Sequence, residues 1–207
     1  MNEGERFWES IYEKASPASN GEPSAALVRF AKELSPGRAL DLGCARGDDA
    51  VWLARRGWSV VGVDISERVL SYARANVESA QQERSITLER HDLSTSFPEG
   101  SFDLITAMFL QSPVTFPRHA VLSRAALAVN PGGLFLSVSH GSAAPWSWGD
   151  PDRDFPSPEE ELASLELDLG GWERVFVGNT ERIASGPGGQ TAPVLDTIIA
   201  LRRSAQG

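Results

Sequence analysis

The chain has 207 residues, enough for one domain with a full hydrophobic core. Its 19 Lys and Arg residues against 28 Asp and Glu residues give a formal net charge of −9. Such a charge repels the phosphates of nucleic acids and anionic lipid surfaces, so we expect neither nucleic acid nor membrane as a partner. The single cysteine, Cys44, excludes an internal disulfide, and three scattered histidines offer no zinc-binding spacing, so we expect no metal.

The sequence contains no apolar stretch of the kind that targets or spans membranes. Its first residues lack the apolar core of a signal peptide, and no run approaches the roughly 18 apolar residues of a membrane span. We therefore expect a cytoplasmic protein with one domain over residues 1–207. Within it we expect N-terminal helices that can act as a flap (1–36), a central core that binds a cofactor (37–140), and a substrate loop, helix and strand pair (141–207).

Two helices are predicted before the first strand. The first covers about residues 6–14. The second covers residues 23–34, where a leading proline suits the first turn and Leu27, Ala31 and Leu34 form one apolar stripe.

From residue 38 the sequence alternates between strand and helix patterns. The predicted strands are residues 38–43, 59–64, 86–90, 102–107 and 134–139. The predicted helices are residues 48–56, a helix that Ser66 opens, and residues 117–129 before the stop at 130–133. This alternation implies right-handed crossovers and a parallel sheet.

The C-terminal part has a different pattern. Ser157 and Glu160 form a capping box with Pro158 in the first helical turn, which predicts a helix to about Asp168. Two strand candidates, 172–178 and 194–201, follow without a helix between them, so they must form an antiparallel hairpin. The expected fold class is α/β: a Rossmann-like, doubly wound, mostly parallel seven-stranded sheet with this hairpin at its edge.

The turn after the first predicted strand has the spacing of a nucleotide site. Asp41, Gly43 and Gly47 lie in this turn, and Asp64 ends the next strand 23 positions after Asp41. An acid about 20 residues beyond a Gly-rich turn commonly binds ribose hydroxyls. The pattern predicts a cofactor that contains ribose.

The glycine spacing separates the candidate cofactors. With Gly43 first, the dinucleotide fingerprint needs glycine where the chain has Ala45 and Asp48. Instead, Asp41 is followed by small residues two, four and six positions later, which resembles motif I of class I methyltransferases that bind S-adenosylmethionine. An NAD(P)-dependent oxidoreductase and a non-catalytic regulatory module that binds the cofactor remain as alternatives.

The resemblance to class I methyltransferases covers most of the chain. Asp64 matches the ribose-binding acid, Asp92 matches the acid that contacts adenine, and residues 100–113 and 127–141 resemble motif IV and the fifth strand region. The N-terminal segment and the tail beyond His140 are similar to a branch that acts on small molecules and includes tellurite-resistance and thiopurine methyltransferases. The resemblance implies these cofactor-binding residues: Asp41, Gly43, Cys44, Ala45, Gly47, Asp64, Ile65, Asp92, Leu93 and Met108.

Each of the three acids has a structural alternative. Asp41 meets the ammonium of the cofactor directly or through water, or it holds the turn by accepting backbone amides. Asp64 binds ribose or only caps the next helix. Asp92 binds adenine or is an ordinary turn residue before a Ser/Thr-rich loop.

The small residues of the turn also allow two interpretations. Gly43 and Gly47 let the backbone approach the ligand, or they merely permit a tight turn. The family usually has glycine where this chain has Ala45, and alanine is tolerated there if its φ is negative. Cys44 is expected to be a small buried residue without chemistry of its own.

Substrate-side candidates lie outside these motifs. His140 ends the fifth strand and is the candidate general base, with a structural histidine as the alternative. Trp8 and Tyr12, four residues apart, either cover the substrate or pack the first helix, and Trp146 and Trp148 occur in a long loop that can cover a site. The resemblance implies methyl transfer by in-line displacement to a small molecule, in which a soft nucleophile needs little help and a hydroxyl needs a base such as His140.

Overall fold

The computed structural model describes residues 1–147 and 154–205. Its α-helices are α1 (Glu3–Lys14), α2 (Ala25–Ala31), α3 (Asp48–Arg55), α4 (Glu67–Ser79), α5 (Arg118–Leu127) and α6 (Pro158–Ala163). Its strands are β1 (Arg38–Leu42), β2 (Ser59–Asp64), β3 (Ile86–Arg90), β4 (Phe102–Met108), β5 (Val129–His140), β6 (Trp172–Ser185) and β7 (Thr191–Arg203). None of the described helices combines the length and the apolar character that a membrane crossing needs.

The strands of the described residues form one seven-stranded sheet in the order β3-β2-β1-β4-β5-β7-β6. The five strands β1 to β5 pair in parallel with their neighbours in this order, while β7 pairs antiparallel with both β5 and β6. The predicted fold class is therefore confirmed, including the antiparallel hairpin at one edge. Parallel strands whose chain order reverses beside β1 create a crevice at their carboxyl ends, which is where open α/β sheets bind ligands.

The central strands are apolar on both faces because helices cover both sides of the sheet. Neighbouring residues alternate between two clusters: Ala39 packs with α2 and α3, whereas Leu40 packs with α5 and α6. Every residue of β2 after Ser59 is buried. Such continuous burial explains why β1 and β2 are near-continuous apolar runs in the sequence.

Local capping chemistry places the helix that follows β2. The Ser66 side chain accepts a hydrogen bond from the backbone N–H of Val69 at 3.2 Å, as its position before α4 predicts. The buried face of α4 includes Leu70, Ala73 and Val77. The helix therefore begins where the crevice requires it, directly after Asp64.

Two predicted helices are wrong in their extent. Helix α2 begins only at Ala25, because the backbone N–H of Ser24 donates to the Asp49 carboxylate at 2.6 Å and the proline before it stays outside the helix. Helix α6 ends at Ala163 rather than Asp168. The chain beyond it turns at Glu166, whose φ of +51° is incompatible with a right-handed helix.

The hairpin strands and β5 are longer than predicted. The loop between β6 and β7 shrinks to residues 186–190, because pairing continues to Ser185 and Thr191. Strand β5 starts at Val129, which pairs with Phe102 before a register shift, so the predicted stop at 130–133 lies inside a bulged strand.

Candidate functional site

A cavity of about 370 Å³ lies across the carboxyl ends of β3, β2, β1 and β4. Helix α1 and the loop between β4 and α5 close its sides. The lining residues are Asn2, Glu3, Gly4, Trp8, Tyr12, Gly43, Asp64, Ile65, His91, Asp92, Leu93, Ser94, Thr95, Met108, Phe109, Leu110, Gln111, Ser112, Thr115 and Phe116. The structure thus brings together eight predicted site residues: Trp8, Tyr12, Gly43, Asp64, Ile65, Asp92, Leu93 and Met108.

The turn after β1 follows an unusual backbone path. Gly43, Ala45 and Gly47 all have positive φ, at +73°, +46° and +77°. The N–H groups of Gly43 and Cys44 both donate to the carbonyl of Val63, at 2.8 and 2.9 Å, which ties the turn to β2. A Cβ at Gly43 would lie 3.0 Å from Leu110 Cδ1, so glycine keeps the cavity wall open at this point.

Alanine at position 45 was expected to be tolerated if its φ is negative, but the φ of Ala45 is positive. Its left-handed backbone costs an L-residue about 1–2 kcal/mol. The Ala45 N–H donates to the Asp64 carboxylate at 3.2 Å, which holds the strained conformation in place. Ala45 therefore contributes an amide that positions Asp64, although it does not line the cavity.

Asp64 lies at the end of β2 with only 8% of its surface exposed. Its carboxylate accepts from the N–H of Ser66 at 3.0 Å and from that of Ala45 at 3.2 Å. Burial raises the pKa of Asp64 to about 6, although hydrogen bonds from these amides oppose the rise. The N-cap of α4 is Ser66 rather than Asp64, and Asp64 is one of the residues that line the cavity.

Asp41 lies beneath the cavity rather than in its wall. It is 2% exposed and accepts a hydrogen bond from the Thr106 hydroxyl at 2.9 Å. The structural partner of the Asp41 carboxylate is therefore the Thr106 side chain of β4, not the backbone amides of the turn. Burial, followed by the negative charge of Asp49, raises the pKa of Asp41 well above the ordinary value, and burial likewise raises the pKa of Asp49.

Two other predicted residues of the turn also lie behind the cavity wall. Cys44 is buried, and burial raises the pKa of its thiol far above the ordinary range, which agrees with a packing role. Gly47 precedes α3, and a Cβ there would lie 3.5 Å from the Cβ of Ala73 on α4. Both residues shape the turn without lining the cavity.

Asp92 is both a turn residue and a cavity residue. Its Oδ1 accepts from the N–H of Ser94 at 3.0 Å, which is an Asx-turn, and its Oδ2 accepts from the side-chain amide of Asn2 at 2.6 Å. The contact with Asn2 spans 90 positions of sequence and fastens the start of α1 to the end of β3. The two interpretations of Asp92 are therefore compatible in the structure.

Helix α1 forms one wall of the cavity. None of its residues is fully buried, and it packs on α4. Ion pairs attach it to the body: Glu5 to Arg90 and Glu9 to Arg68. Its Trp8 and Tyr12 rings lie 6.0 Å apart in the cavity wall, and burial raises the pKa of Tyr12 above its ordinary range.

The sequence analysis missed most of the wall after β4. Phe109 has a φ of +54°, and Leu110 and Gln111 continue the wall after it. The carbonyl of Leu110 accepts from Arg118 Nε at 3.0 Å, and Arg118 Nη1 also donates to Glu161 of α6 at 2.8 Å. The position after the strand that resembles motif IV was the available signal, since ligands collect at strand ends.

The predicted catalytic base does not line the cavity. His140 stacks on Phe109, with ring centroids 4.7 Å apart, and its backbone N–H donates to the Gln111 side chain at 3.1 Å. Phe109 therefore lines the cavity, and the His140 ring packs against the Phe109 ring. Trp146 is also displaced, because its ring packs at Gly186 of the β6–β7 loop, and Trp148 lies outside the described residues.

The charges around the cavity fit S-adenosylmethionine better than a dinucleotide. Asp64 lines the cavity and Asp41 lies beneath it, and burial raises the pKa of both carboxyl groups, so a positive charge nearby would favour their ionised forms. S-adenosylmethionine has an ammonium and a sulfonium, whereas a dinucleotide has an anionic pyrophosphate. Among the described residues no Lys or Arg side chain lines the cavity, and none of the described acids forms a cluster suited to a metal ion.

Comparisons with known proteins agree with this geometry. Residues 39–133 match a family described as "Methyltransferase domain". A phosphatidylethanolamine N-methyltransferase of Cereibacter sphaeroides is 31% identical over 152 residues, which cover 73% of this chain and 69% of that protein. For several other curated relatives, the chain spans only about a quarter to two thirds of their length.

Solved structures reproduce the fold over nearly the whole chain. One described as "Conversion of a Disulfide Bond into a Thioacetal Group during Echinomycin Biosynthesis" has a TM-score of 0.74 at 23% identity, covering 98% of this chain and 94% of that one. TehB from Haemophilus influenzae has a TM-score of 0.70 at 19% identity, covering 95% and 67%. Together with the acid-first turn and the sheet order, these matches show that the chain belongs to the class I S-adenosylmethionine-dependent methyltransferases.

Proposed function

We propose that this protein transfers a methyl group from S-adenosylmethionine to a small-molecule acceptor by in-line displacement. The observation that carries the proposal is the cavity at the carboxyl ends of β3, β2, β1 and β4, which combines Asp64 and Asp92 with the aromatic residues of α1. In this proposal Asp64 binds the ribose hydroxyls and Asp92 the adenine amine. Gly43, Ile65, Leu93 and Met108 form the surrounding walls.

In methyl transfer of this kind, the main task of the protein is to align the acceptor with the methyl group. When bound, S-adenosylmethionine supplies a methyl group on a sulfonium that leaves readily. The chain has to hold the acceptor in line with that methyl group and exclude water, and positioning of this kind contributes roughly 7–11 kcal/mol to lowering a barrier. Trp8 and Tyr12 exclude water on the α1 side, and Phe109 and Leu110 do so on the opposite side.

Several further predictions from the sequence belong to this proposal. The net charge of −9 favours a small molecule over nucleic acid as the acceptor. A single domain and a cytoplasmic location complete the proposal. The long loop with Trp146 and Trp148 is left without a role in it.

A binding experiment and a transfer experiment test the proposal together. Calorimetry with S-adenosylmethionine, its demethylated product and NAD(P) should show binding of the first two only. Asp64→Asn should weaken that binding by about tenfold or more, because it removes charge-assisted hydrogen bonds, whereas Glu83→Gln at an exposed turn residue should not change it.

The transfer experiment uses labelled cofactor and pooled metabolites. Label should reach a low-molecular-weight product and should not reach purified nucleic acid. Tight cofactor binding with no transfer to any pool would overturn the catalytic proposal, and binding of NAD(P) alone would overturn the cofactor assignment.

A further inference from the structure

The aromatic part of the cavity lining has a chemistry that restricts its occupant. Trp8, Tyr12, Phe109 and Phe116 line the same cavity, and Gln111 and Thr115 add uncharged polar groups. We call these six residues the acceptor wall. Phe109 directly follows β4, two strand spacings or about 10 Å from the end of β2, whereas Trp8 and Tyr12 belong to α1, which packs on α4. A flat ring can stack on such a wall without losing hydrogen bonds to water.

The ionisable side chains around the cavity are mostly acidic. The ionisable residues of the lining are Glu3, Tyr12, Asp64, His91 and Asp92, and no lining residue in the described ranges is Lys or Arg. His91 is held on both ring nitrogens, by Ser96 Oγ at 2.9 Å and by Glu89 at 3.0 Å. Within the described residues, the lining therefore offers an anion no Lys or Arg as a partner.

The cations nearest the acceptor wall are already engaged elsewhere. Arg118 pairs with Glu161 and donates to the carbonyl of Leu110. Arg182, 5.5 Å from the ring of Phe109, pairs with Asp196 through two hydrogen bonds. Arg46 lies 6.0 Å from the Tyr12 ring and donates to the carbonyl of Ser16.

An anionic acceptor would lose its hydration in this cavity without gaining a compensating ion pair. An uncharged nucleophile avoids that loss. It also conserves positive charge during the reaction, since the charge moves from the sulfonium to the acceptor, inside a cavity whose lining has the carboxyl groups of Glu3, Asp64 and Asp92.

A nucleophile that must lose a proton first is also poorly served. The predicted base His140 does not line the cavity, and both ring nitrogens of His91 are hydrogen-bonded. The Asp64 carboxylate already accepts two backbone N–H groups, and the Asp92 carboxylate accepts from Ser94 and Asn2. Glu3 follows Asn2 in the first turn of α1, at the end of the cavity where Asn2 contacts Asp92 rather than at the loop after β4. An aromatic nitrogen with its own lone pair requires none of these groups as a base.

We infer, on the basis of the proposed methyl transfer, that the acceptor is an uncharged aromatic or heteroaromatic compound that is methylated on nitrogen. In the transfer, the nitrogen lone pair forms the bond to the methyl carbon. The bond from that carbon to the sulfonium breaks, and its electron pair stays on sulfur. A ring nitrogen without hydrogen becomes a cation, and no proton has to leave.

The test compares two isosteric probes, pyridine-3-carboxamide and pyridine-3-carboxylate, which share a ring nitrogen and differ in charge. With the protein saturated with S-adenosylhomocysteine, calorimetry should show at least about tenfold tighter binding of the carboxamide. Labelled methyl transfer to a pool of uncharged aromatic nitrogen compounds should exceed transfer to matched carboxylates, aryl thiols and phenols.

Substitution at the acceptor wall provides the matched control. Thr115→Lys should narrow or reverse the preference for the carboxamide, whereas Thr115→Gln should preserve it. S-adenosylhomocysteine binding is measured for both variants in the same titrations. Equal or tighter binding of the carboxylate, or no label in the nitrogen pool, overturns the inference. Absence of S-adenosylhomocysteine binding instead overturns the proposed function.

Discussion

Replacing Glu161 by alanine should destabilise the protein far more than the same change two residues earlier in α6. Glu161 is 6% exposed, and its carboxylate accepts from Arg118 Nη1 at 2.8 Å and from Ser139 Oγ at 3.2 Å. Glu159 pairs with Arg174 on the surface, and these two side chains are 66% and 46% exposed. The two glutamates share a helix and a partner type, and they differ mainly in burial.

The magnitude follows from that difference. Removing one partner of a buried ion pair leaves the other charge uncompensated and typically costs about 3–5 kcal/mol. Arg118 keeps its bond to the Leu110 carbonyl and is 12% exposed, so we expect the lower end, about 3 kcal/mol, for Glu161→Ala. For Glu159→Ala we expect about 1 kcal/mol or less, because water solvates both charges.

Urea unfolding followed by tryptophan fluorescence measures both values. A loss of about 3 kcal/mol corresponds to a melting temperature lower by roughly 6–12 °C for a chain of this size. Adding Arg118→Met completes a double-mutant cycle, whose coupling free energy should exceed about 1 kcal/mol. Equal losses for Glu161→Ala and Glu159→Ala, or no coupling with Arg118, would refute the reasoning.

Four further predictions concern the turn after β1 and the acid that ends β2. Burial raises the pKa of Asp64 from 3.8 to about 6, so its proton binds the folded chain more tightly than the unfolded chain. Stability from this group should fall as the pH rises from about 4 to 6, and Asp64→Asn should remove that part of the pH dependence of the melting temperature. The same titration predicts that S-adenosylhomocysteine affinity, measured by calorimetry, weakens as the pH falls through about 6; a pH-independent affinity would contradict the role of the ionised carboxylate. Ala45→Gly should leave the free energy of unfolding unchanged or raise it by up to about 1 kcal/mol, because relief of the left-handed strain exceeds the entropy cost of glycine; a clear loss of stability in urea would count against this. Gly43→Ala should lower the free energy of unfolding by about 1–2 kcal/mol, because the φ of Gly43 is +73°. It should also weaken cofactor binding, because the added Cβ contacts Leu110. An unchanged affinity in calorimetry would contradict the second part, since it would mean that Leu110 moves aside.

The site shows where inference from the sequence stops. Asp64, Asp92 and Gly43 were identifiable because motif spacing places them at strand ends, and parallel strands bring those ends to one edge. Phe109, Leu110 and Gln111 follow β4 at the same edge, but no residue type marks them as a wall. His140 also ends a strand, yet Phe109 takes the left-handed φ of +54° and its ring stacks on His140, so Phe109 lines the cavity instead. The backbone conformation of Phe109 therefore accompanies the choice of which side chain lines the cavity.

The sequence by itself determined the order of strands and helices, the acid-first turn and the C-terminal hairpin. These features depend on signals within a few residues: burial on both faces, Ser66 as a cap, and glycines at positive φ. Only the tertiary structure decided that Asn2 fastens α1 to Asp92, 90 positions away, and that Trp8 and Tyr12 close the cavity. Such contacts depend on how separate elements pack, because each is the sum of weak, distant interactions that leave no local pattern in the chain.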